Sequence, residues 1–465
     1  GGYTDIDTMT QEFRLTSTGE RTLEWMFGAY LFHEEVTTGD TLYYGNDIRN
    51  YFDVLMAAGG APGLLGGVEG VYGLDPGTFF SNASAVSSDF EQDNDAYSLF
   101  ASFDYHINDQ FTAIFGVSYT NDQKEVTIAQ NNTDVFSSLD LATEPTLFGV
   151  PIGSIPTLAP AVPTLQSLQF LPPMLGLPNG VENNKTDDSK TTWSLRLSYE
   201  INDNINVFAT AATGFKASSW NLSRYSSPFA SDQAALATAG IEQPNQVYGG
   251  RYASPEEAKV YEIGIKTQFE NGSFNATLFD QTIEGFQSSI FIGTGYVLAN
   301  AGKQSTQGLE FDSNYNLPDD WSFTLAGTFL DPVYDSFEGA SGLDGPTDLS
   351  GEKPAGIHEV SITAGVVYNF EVFNGADGYV RADYLYESDV KVAENTPESL
   401  SREVNTVNAS TGLAFDNGLS VQLWVRNLTN DEYLLSAFPP PIQAGSFNGY
   451  PNQPRTFGAN VSYQF

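Results

Sequence analysis

One predicted loop combines aromatic and arginine side chains, the residue types that hold flat, negatively charged molecules. An arginine guanidinium forms paired hydrogen bonds with an anionic group, and it also stacks on aromatic rings. The loop therefore predicts a binding site for an anionic, planar ligand. Two other roles stay open for the same residues, namely packing of one loop on another and contact with lipopolysaccharide. The cluster consists of Trp220, Arg224, Tyr225, Tyr248, Arg251 and Tyr252.

Groups suited to catalysis or to metal binding are sparse. The three histidines, His33, His106 and His358, are far apart in the sequence, whereas acid–base catalysis needs groups that are held together. Acidic loop residues such as Asp331 and Asp335 offer oxygen ligands, but they lack the spacing of a calcium-binding loop. Cysteine is absent, so a thiolate metal site is excluded. The sequence predicts no enzyme, no metal site and no cofactor.

The charge balance is strongly acidic, with 58 acidic and 19 basic residues and a formal net charge of -39. Nucleic acids are bound by clustered lysine and arginine, so the sequence predicts no nucleic-acid partner. Acidity of this kind usually reflects a solvated surface. The alternative is an electric field that concentrates cations near the protein.

Apolar and polar residues alternate with period two along most of the chain. In one segment Trp193, Leu195 and Leu197 alternate with Ser194 and Arg196. Each such run predicts a strand with one apolar and one polar face. Many runs reach about ten residues, the length that a tilted strand needs to cross the hydrocarbon of a membrane. Comparable runs lie at residues 111–119, 261–269, 360–370 and 419–426.

Connections between the predicted strands alternate between short turns and long loops, seven of each, which gives 15 strands. Outer-membrane barrels place short turns in the periplasm and long loops outside the cell. A soluble β-sandwich has no reason to sort its loops by length. The pattern therefore predicts an all-β fold, an antiparallel transmembrane β-barrel. The five longest predicted outer loops lie at about residues 40–92, 131–190, 216–254, 331–358 and 434–454.

Two of these loops contain many apolar residues. The first includes Tyr43, Tyr44, Tyr51 and Phe52, and the second includes Phe148, Phe170 and Met174. Large exposed apolar surfaces usually have a partner, so both loops are predicted to be contact surfaces.

Short motifs along almost the whole chain resemble those of the TonB-dependent outer-membrane receptors of Gram-negative bacteria, and they occur in the order that this family shows. Each motif alone is common, but together they are specific. They are Gln-Glu-Phe-Arg-Leu at 11–15, Gly-Phe-Lys at 214–216, Ser-Pro-Glu at 254–256 with Tyr-Glu-Ile-Gly-Ile-Lys at 261–266, Asn-Ala-Gly at 300–302 with Gly-Leu-Glu at 308–310, Val-Arg-Asn-Leu-Thr-Asn-Asp-Glu-Tyr at 425–433 and Pro-Arg-Thr-Phe-Gly at 454–458.

This resemblance implies a barrel of roughly 22 strands, of which about 15 are present here, with the N-terminal plug and the first strands missing. It also implies uptake of a scarce nutrient, most simply a ferric siderophore or a similar iron complex, energised by the TonB complex through the missing N-terminal region. Tyr463 and Phe465 match the aromatic C-terminus that the outer-membrane assembly machinery reads in this family. A passive porin, or a barrel or adhesin without transport activity, is the alternative.

Overall fold

The structure is a computed structural model. It describes residues 2–19, 21–82, 85–169, 184–223, 234, 237–238, 252–291, 296–318, 320–342, 345–373, 376–440 and 445–465.

Fifteen strands form one antiparallel sheet, the number that the sequence predicts. Within this sheet each strand pairs with the strands before and after it in chain order, and the first and last strands form the two edges. Short hairpins lie outside this sheet. The strands are β1 (Gly2–Thr16), β2 (Leu23–Tyr43), β3 (Ala85–His106), β4 (Phe111–Asn132), β5 (Lys185–Asn202), β6 (Ile205–Lys216), β9 (Glu256–Phe269), β10 (Gly272–Glu284), β13 (Lys303–Asn316), β14 (Trp321–Ser336), β17 (Val360–Phe373), β18 (Ala376–Lys391), β19 (Ser401–Phe415), β20 (Leu419–Arg426) and β23 (Thr456–Tyr463).

The remaining elements lie in the long connections between strands. These connections lie at one end of the strands, which we call the long-connection end. Four hairpins are formed by β7 (Ser219–Trp220) with β8 (Tyr252–Ala253), β11 (Gln287–Phe291) with β12 (Tyr296–Asn300), β15 (Ala340–Gly342) with β16 (Gly345–Thr347), and β21 (Leu434–Phe438) with β22 (Asn448–Pro451). The helices are α1 (Ile48–Ala58), α2 (Leu64–Tyr72), α3 (Val135–Ser138) and α4 (Val162–Ser167), with 3-10 turns at Ile152–Ser154, Ala159–Ala161 and Glu398–Leu400. None of the helices in the described ranges is long and apolar enough to span a membrane.

Strand register places apolar side chains in continuous rows on one face of the sheet. Phe115 of β4 pairs with Leu195 of β5, which pairs with Ala211 of β6, and Ala211 pairs with Tyr261 of β9. A shift of one residue would turn every side chain of a strand to the other face, so this alternation fixes the register. We call this side the apolar face and the opposite side the polar face.

Strands at the long-connection end run further than the sequence indicates. β2 and β3 remain paired up to Tyr43 and Ala85, so residues 44–84 connect them rather than 40–92. Likewise β4 ends at Asn132 and β5 begins at Lys185, both inside the predicted loop at 131–190. These strand ends carry polar residues on both faces, and the period-two signal is therefore lost there.

Candidate functional site

The predicted ligand-binding cluster lies at the long-connection end, and the structure brings two of its members together. Trp220 and Tyr252 are paired in the β7–β8 hairpin, with ring centroids 4.9 Å apart. The other four members, Arg224, Tyr225, Tyr248 and Arg251, lie outside the described residues.

Trp220 anchors this hairpin to the sheet. Its side chain is buried, and its indole Nε1 donates a hydrogen bond to Thr186 Oγ1 over 3.2 Å. Its ring packs against a small apolar cluster that includes Phe90 and Val126 on the polar face. Tyr252 is exposed. Of this pair, Tyr252 is therefore the accessible residue, and its ring packs on the buried Trp220.

An aromatic side chain lies flat on the polar face, and a cationic side chain packs on its ring. The Phe208 ring covers Gly264 of the next strand, where an added Cβ would lie 2.5 Å from Phe208 Cζ. The guanidinium carbon of Arg196 lies 3.9 Å from the centroid of that ring, and Lys266 Nζ lies 5.8 Å from it. Cation–π attraction stabilises this arrangement, and glycine is required because any side chain would displace the ring.

A second polar network crosses the last strands of the sheet on the same face. Gln422 donates to the Tyr379 hydroxyl over 2.7 Å, and it accepts from Asn460 over 2.9 Å. Beside it, Arg381 forms two hydrogen bonds with Asp383, at 2.7 and 2.8 Å. The polar face is thus lined by mutually bonded side chains.

Two long connections fold together into one unit with its own core, which we call the cap (residues 44–82 and 133–169). Phe80 of the first connection lies 4.9 Å from Phe136 of the second, measured between ring centroids. Such burial of large apolar side chains is the main source of stability in a folded unit. The buried core residues are Tyr44, Phe52, Met56, Leu65, Val68, Phe79, Phe80, Phe136, Leu141, Ile152 and Leu165.

A buried ion pair fastens the cap. Arg49 Nη2 donates to Glu69 Oε2 over 3.1 Å, and the Glu69 carboxylate also accepts from the backbone N–H groups of Gly77 and Phe79. Burial opposes the charged form of Glu69, but the hydrogen bonds from Arg49 and from these backbone groups outweigh it and lower the pKa of Glu69. The pair is therefore charged and satisfied inside the cap.

The predicted contact surface of these two connections is corrected in part. Tyr44 and Phe52 are buried in the cap core, because the two connections cover each other. By contrast, Tyr43 at the end of β2 and Tyr51 of α1 are exposed, and Leu147 and Phe148 at the tip of a turn are each 70% exposed. Phe170 and Met174 lie outside the described residues.

Each histidine has a local acidic partner, and the three remain in separate parts of the sheet. His33 bonds Asp95 over 2.8 Å, while His106 lies 3.4 Å from Glu24. His358 lies 3.2 Å from Glu387, near the long-connection end. In the described ranges, His, Asp and Glu do not gather in a group of three or more that could hold a metal ion.

Asn427 explains the motif at 425–433 that the sequence analysis singled out. Its φ of 50° is left-handed, a conformation that asparagine tolerates, and it turns the chain sharply after β20. Its side-chain amide donates to the carbonyls of Asp431 and Gln453 and accepts from the Asp431 N–H. Arg455 of the final motif donates to the Leu428 carbonyl. The two C-terminal motifs are therefore one hydrogen-bonded joint between β20 and β23.

Asn300 performs the same task for two earlier motifs. Its amide donates to the carbonyls of Ser254 and Gly285 over 2.9 and 2.7 Å, and its oxygen accepts from the Ser254 N–H. This ties the start of β9 to the end of β10 and explains why Ser-Pro-Glu and Asn-Ala-Gly occur together.

The profile of a known protein family, described as "TonB dependent receptor-like, beta-barrel", matches residues 1–428. The chain belongs to the TonB-dependent receptors. Members of this family are outer-membrane proteins, and in outer-membrane barrels an apolar face meets lipid while a polar face lines the interior. The family consists of receptors and transporters rather than enzymes.

Similar proteins agree with the fold of this TonB-dependent receptor. The ferric yersiniabactin uptake receptor FyuA from Yersinia pestis superposes with a TM-score of 0.65 at 15% identity, over 100% of this chain and 55% of that one. The siderophore receptor PiuA from Acinetobacter baumannii gives 0.61 at 15% identity, over 99% of this chain and 56% of that one. The pesticin receptor of Yersinia pestis is 24% identical over 164 residues, which are 35% of this chain and 21% of the relative. The chain thus spans about half the length of the two solved receptors.

Two aromatic side chains at the end of the last strand are accessible. Tyr463 pairs with Leu419 at the end of β23, and its ring lies 5.0 Å from that of Phe465 in an edge-on arrangement. Both side chains are exposed.

Proposed function

We propose that this protein is the receptor for an iron chelate, a ferric siderophore or a similar complex, and that it imports the chelate with energy supplied by the TonB complex. The family match over residues 1–428 is the observation that carries the proposal. Two further observations support it. Two of the solved receptors that share the fold are a ferric yersiniabactin uptake receptor and a siderophore receptor. In addition, the long connections form folded structures at one end of the sheet.

The proposal also covers further parts of the full-length protein. The solved receptors are nearly twice as long as this chain. We assign to the full protein an N-terminal plug, further wall strands and the segment that contacts TonB. The described chain then supplies most of the barrel wall, with its long-connection end facing the outside of the cell and lipopolysaccharide around its rim.

Ligand contacts are assigned to the long-connection end. Tyr252 is exposed and fixed by Trp220, and Arg251 and Arg224 are close to this hairpin in sequence. An arginine beside aromatic rings favours flat chelating groups. Binding groups on loops that a rigid scaffold positions are common in proteins.

Growth tests distinguish this function from its alternatives. A strain that lacks the full-length gene is grown under iron limitation on single iron sources, each a hydroxamate, catecholate, carboxylate or mixed chelate. We expect growth on at least one chelate to be lost, and to return with the intact gene only when TonB is functional. Rescue without TonB would indicate a passive porin. No defect on any chelate would favour a non-transporting barrel or an adhesin.

The aromatic C-terminus is proposed to be read by the assembly machinery. Replacing Phe465 by Ser in the full protein should reduce the amount of folded barrel in the outer membrane, because the exposed ring is lost. Normal levels of folded protein would contradict this role.

A further inference from the structure

We propose that a cavity at the long-connection end binds a positively charged group, an ammonium or a guanidinium, of the imported molecule. The role in uptake rests on the proposed function, whereas the binding itself does not. The cavity has a volume of about 340 Å³, enough for a small aromatic amine.

Four of the connections between strands of the 15-stranded sheet meet around this cavity. Phe286 and Gln287 come from the start of the β11–β12 hairpin, and Tyr334 comes from the end of β14. Glu394 lies in the connection after β18, and Phe438 ends β21. A ligand held here contacts segments that are far apart in sequence.

Glu394 is the charged group of the cavity, and it is only 9% exposed. Its Oε1 accepts hydrogen bonds from the Tyr334 hydroxyl over 3.0 Å and from the Ala355 N–H over 2.8 Å. Both donors are neutral, and within the described residues no ion pair involves this carboxylate. A buried carboxylate without a cationic partner is costly. A bound cation would offset that cost.

Lys391 lies close to Glu394 but forms no ion pair with its carboxylate. Lys391 Nζ donates to the backbone carbonyl of Glu394 over 3.0 Å, and Lys391 does not line the cavity. Many other lysines at this end are paired with carboxylates, which leaves them unable to compensate Glu394. These pairs are Lys185–Glu125, Lys190–Glu257, Lys216–Glu256, Lys259–Glu284, Lys303–Asp335 and Lys353–Glu359.

Aromatic rings complete a cation site around the carboxylate. Phe286 and Tyr334 lie 6.4 Å apart between ring centroids, and Tyr334 is nearly fully buried. Phe438 also lines the cavity. A carboxylate beside aromatic faces is the environment that recognises ammonium and guanidinium groups. The chain as a whole is acidic, with a net charge of -39, so its field draws cations toward the protein.

The test uses three small probes of nearly one shape and different charge. They are tyramine (cationic), 4-hydroxyphenethyl alcohol (neutral) and 3-(4-hydroxyphenyl)propionate (anionic), each titrated into the full-length receptor in detergent and followed by calorimetry. We expect tyramine to bind about tenfold or more tightly than the other two, as a hydrogen-bonded charge pair gives. Equal binding of the three probes, or no binding of tyramine, would overturn the proposal.

Variants separate charge from structure. Glu394→Gln keeps an oxygen that accepts from Tyr334 and Ala355 but removes the charge, so the preference for tyramine should disappear. Glu398→Gln is the matched control, because Glu398 is exposed in the same connection and should change nothing. Ala437→Leu narrows the cavity and should weaken all three probes. A preference that survives Glu394→Gln contradicts the assignment.

Uptake assays keep the two proposals apart. If chelates are imported but tyramine does not bind, the cavity is wrongly assigned and the proposed function stands. If tyramine binds through Glu394 and no chelate is imported, the reverse holds.

Discussion

Phe80 and Phe136 belong to different connections of the wall, yet their rings lie 4.9 Å apart in the core of the cap. Because each connection supplies part of one core, the two connections stabilise each other. The cap is expected to open as one unit.

Replacing Phe136 by Ala should therefore loosen both connections at once. Removal of a buried phenylalanine costs about 3–5 kcal/mol, which is large for a small folded unit. Hydrogen exchange should rise in α1 and α2 of the first connection as well as in the second, and remain slow in β3 and β4. Phe148→Ala is the control, because Phe148 is 70% exposed. Faster exchange in the second connection alone would show that the connections are independent.

Acidification should weaken the cap through Glu69. The pKa of Glu69 in the folded cap lies below its ordinary value of 4.5, so protons bind the unfolded form more readily. The stabilisation is complete above pH 4.5 and is lost as the pH falls through the folded pKa. Hydrogen exchange at pH 7 and pH 3.5, corrected for intrinsic rates, should show a less protected cap at the lower pH.

Glu69→Gln is the informative variant for this pH effect. It should weaken the cap by about 1.5–3 kcal/mol, because the charged hydrogen bonds of Glu69 are lost while Arg49 keeps Asp53 as a partner. It should also reduce the additional loss on acidification. A pH response as large as that of the unchanged protein would show that other carboxyl groups cause it.

How far the sequence predicts the structure depends on the surroundings of each segment. Around Leu195 and Arg196, the sheet has one apolar and one polar face, and this imposes period two. The strands of the sheet can therefore be predicted residue by residue. No such rule applies to the cap, where Phe52 and Phe136 meet across two connections. The alternation pattern therefore predicts a loop where the structure has α1, α2 and the continuation of β2 to Tyr43.

The predicted ligand cluster shows the same limit. The alternation of apolar and polar residues does not distinguish an aromatic ring that anchors a hairpin from one that is exposed. Trp220 and Tyr252 are therefore equivalent in the sequence, although the first is buried and the second exposed. Asn427 was recognised only as part of a family motif. Its role depends on bonds to Asp431 and Gln453, which only the folded chain brings together.

Gly264→Ala should hinder folding of the wall. The new methyl would lie 2.5 Å from Phe208 Cζ and 2.9 Å from the Ala276 carbonyl oxygen, so the ring or the strand must move. Overpacking of this kind typically costs about 1–3 kcal/mol. The fraction of receptor that migrates as folded barrel on unheated gels should fall. Gly214→Ala is a milder control, with its closest neighbour, Ala258 Cβ, at 3.2 Å, and the double variant with Phe208→Leu should recover part of the loss. Equal folding of both single variants would mean that the ring position is not constrained by Gly264.

Asn427→Ala should loosen the joint between β20 and β23. It removes the side-chain bonds to Asp431 and Gln453 and leaves alanine with a left-handed φ, together about 2 kcal/mol or more. The midpoint of thermal unfolding of the purified receptor should fall. Asn448→Ala, at an exposed residue of β22, should leave the midpoint within error, and an equal fall in both variants would remove the special role of Asn427.

Energy-dependent uptake tests the central claim most directly. Cells that produce the full-length receptor are given the radiolabelled ferric chelate that supports their growth, with functional TonB, without TonB, and after collapse of the proton gradient. The account predicts that the chelate binds to the cell surface under all three conditions. It predicts that the chelate crosses the outer membrane and accumulates in the cell only with functional TonB and an intact gradient. Accumulation at the same rate under all three conditions would contradict it.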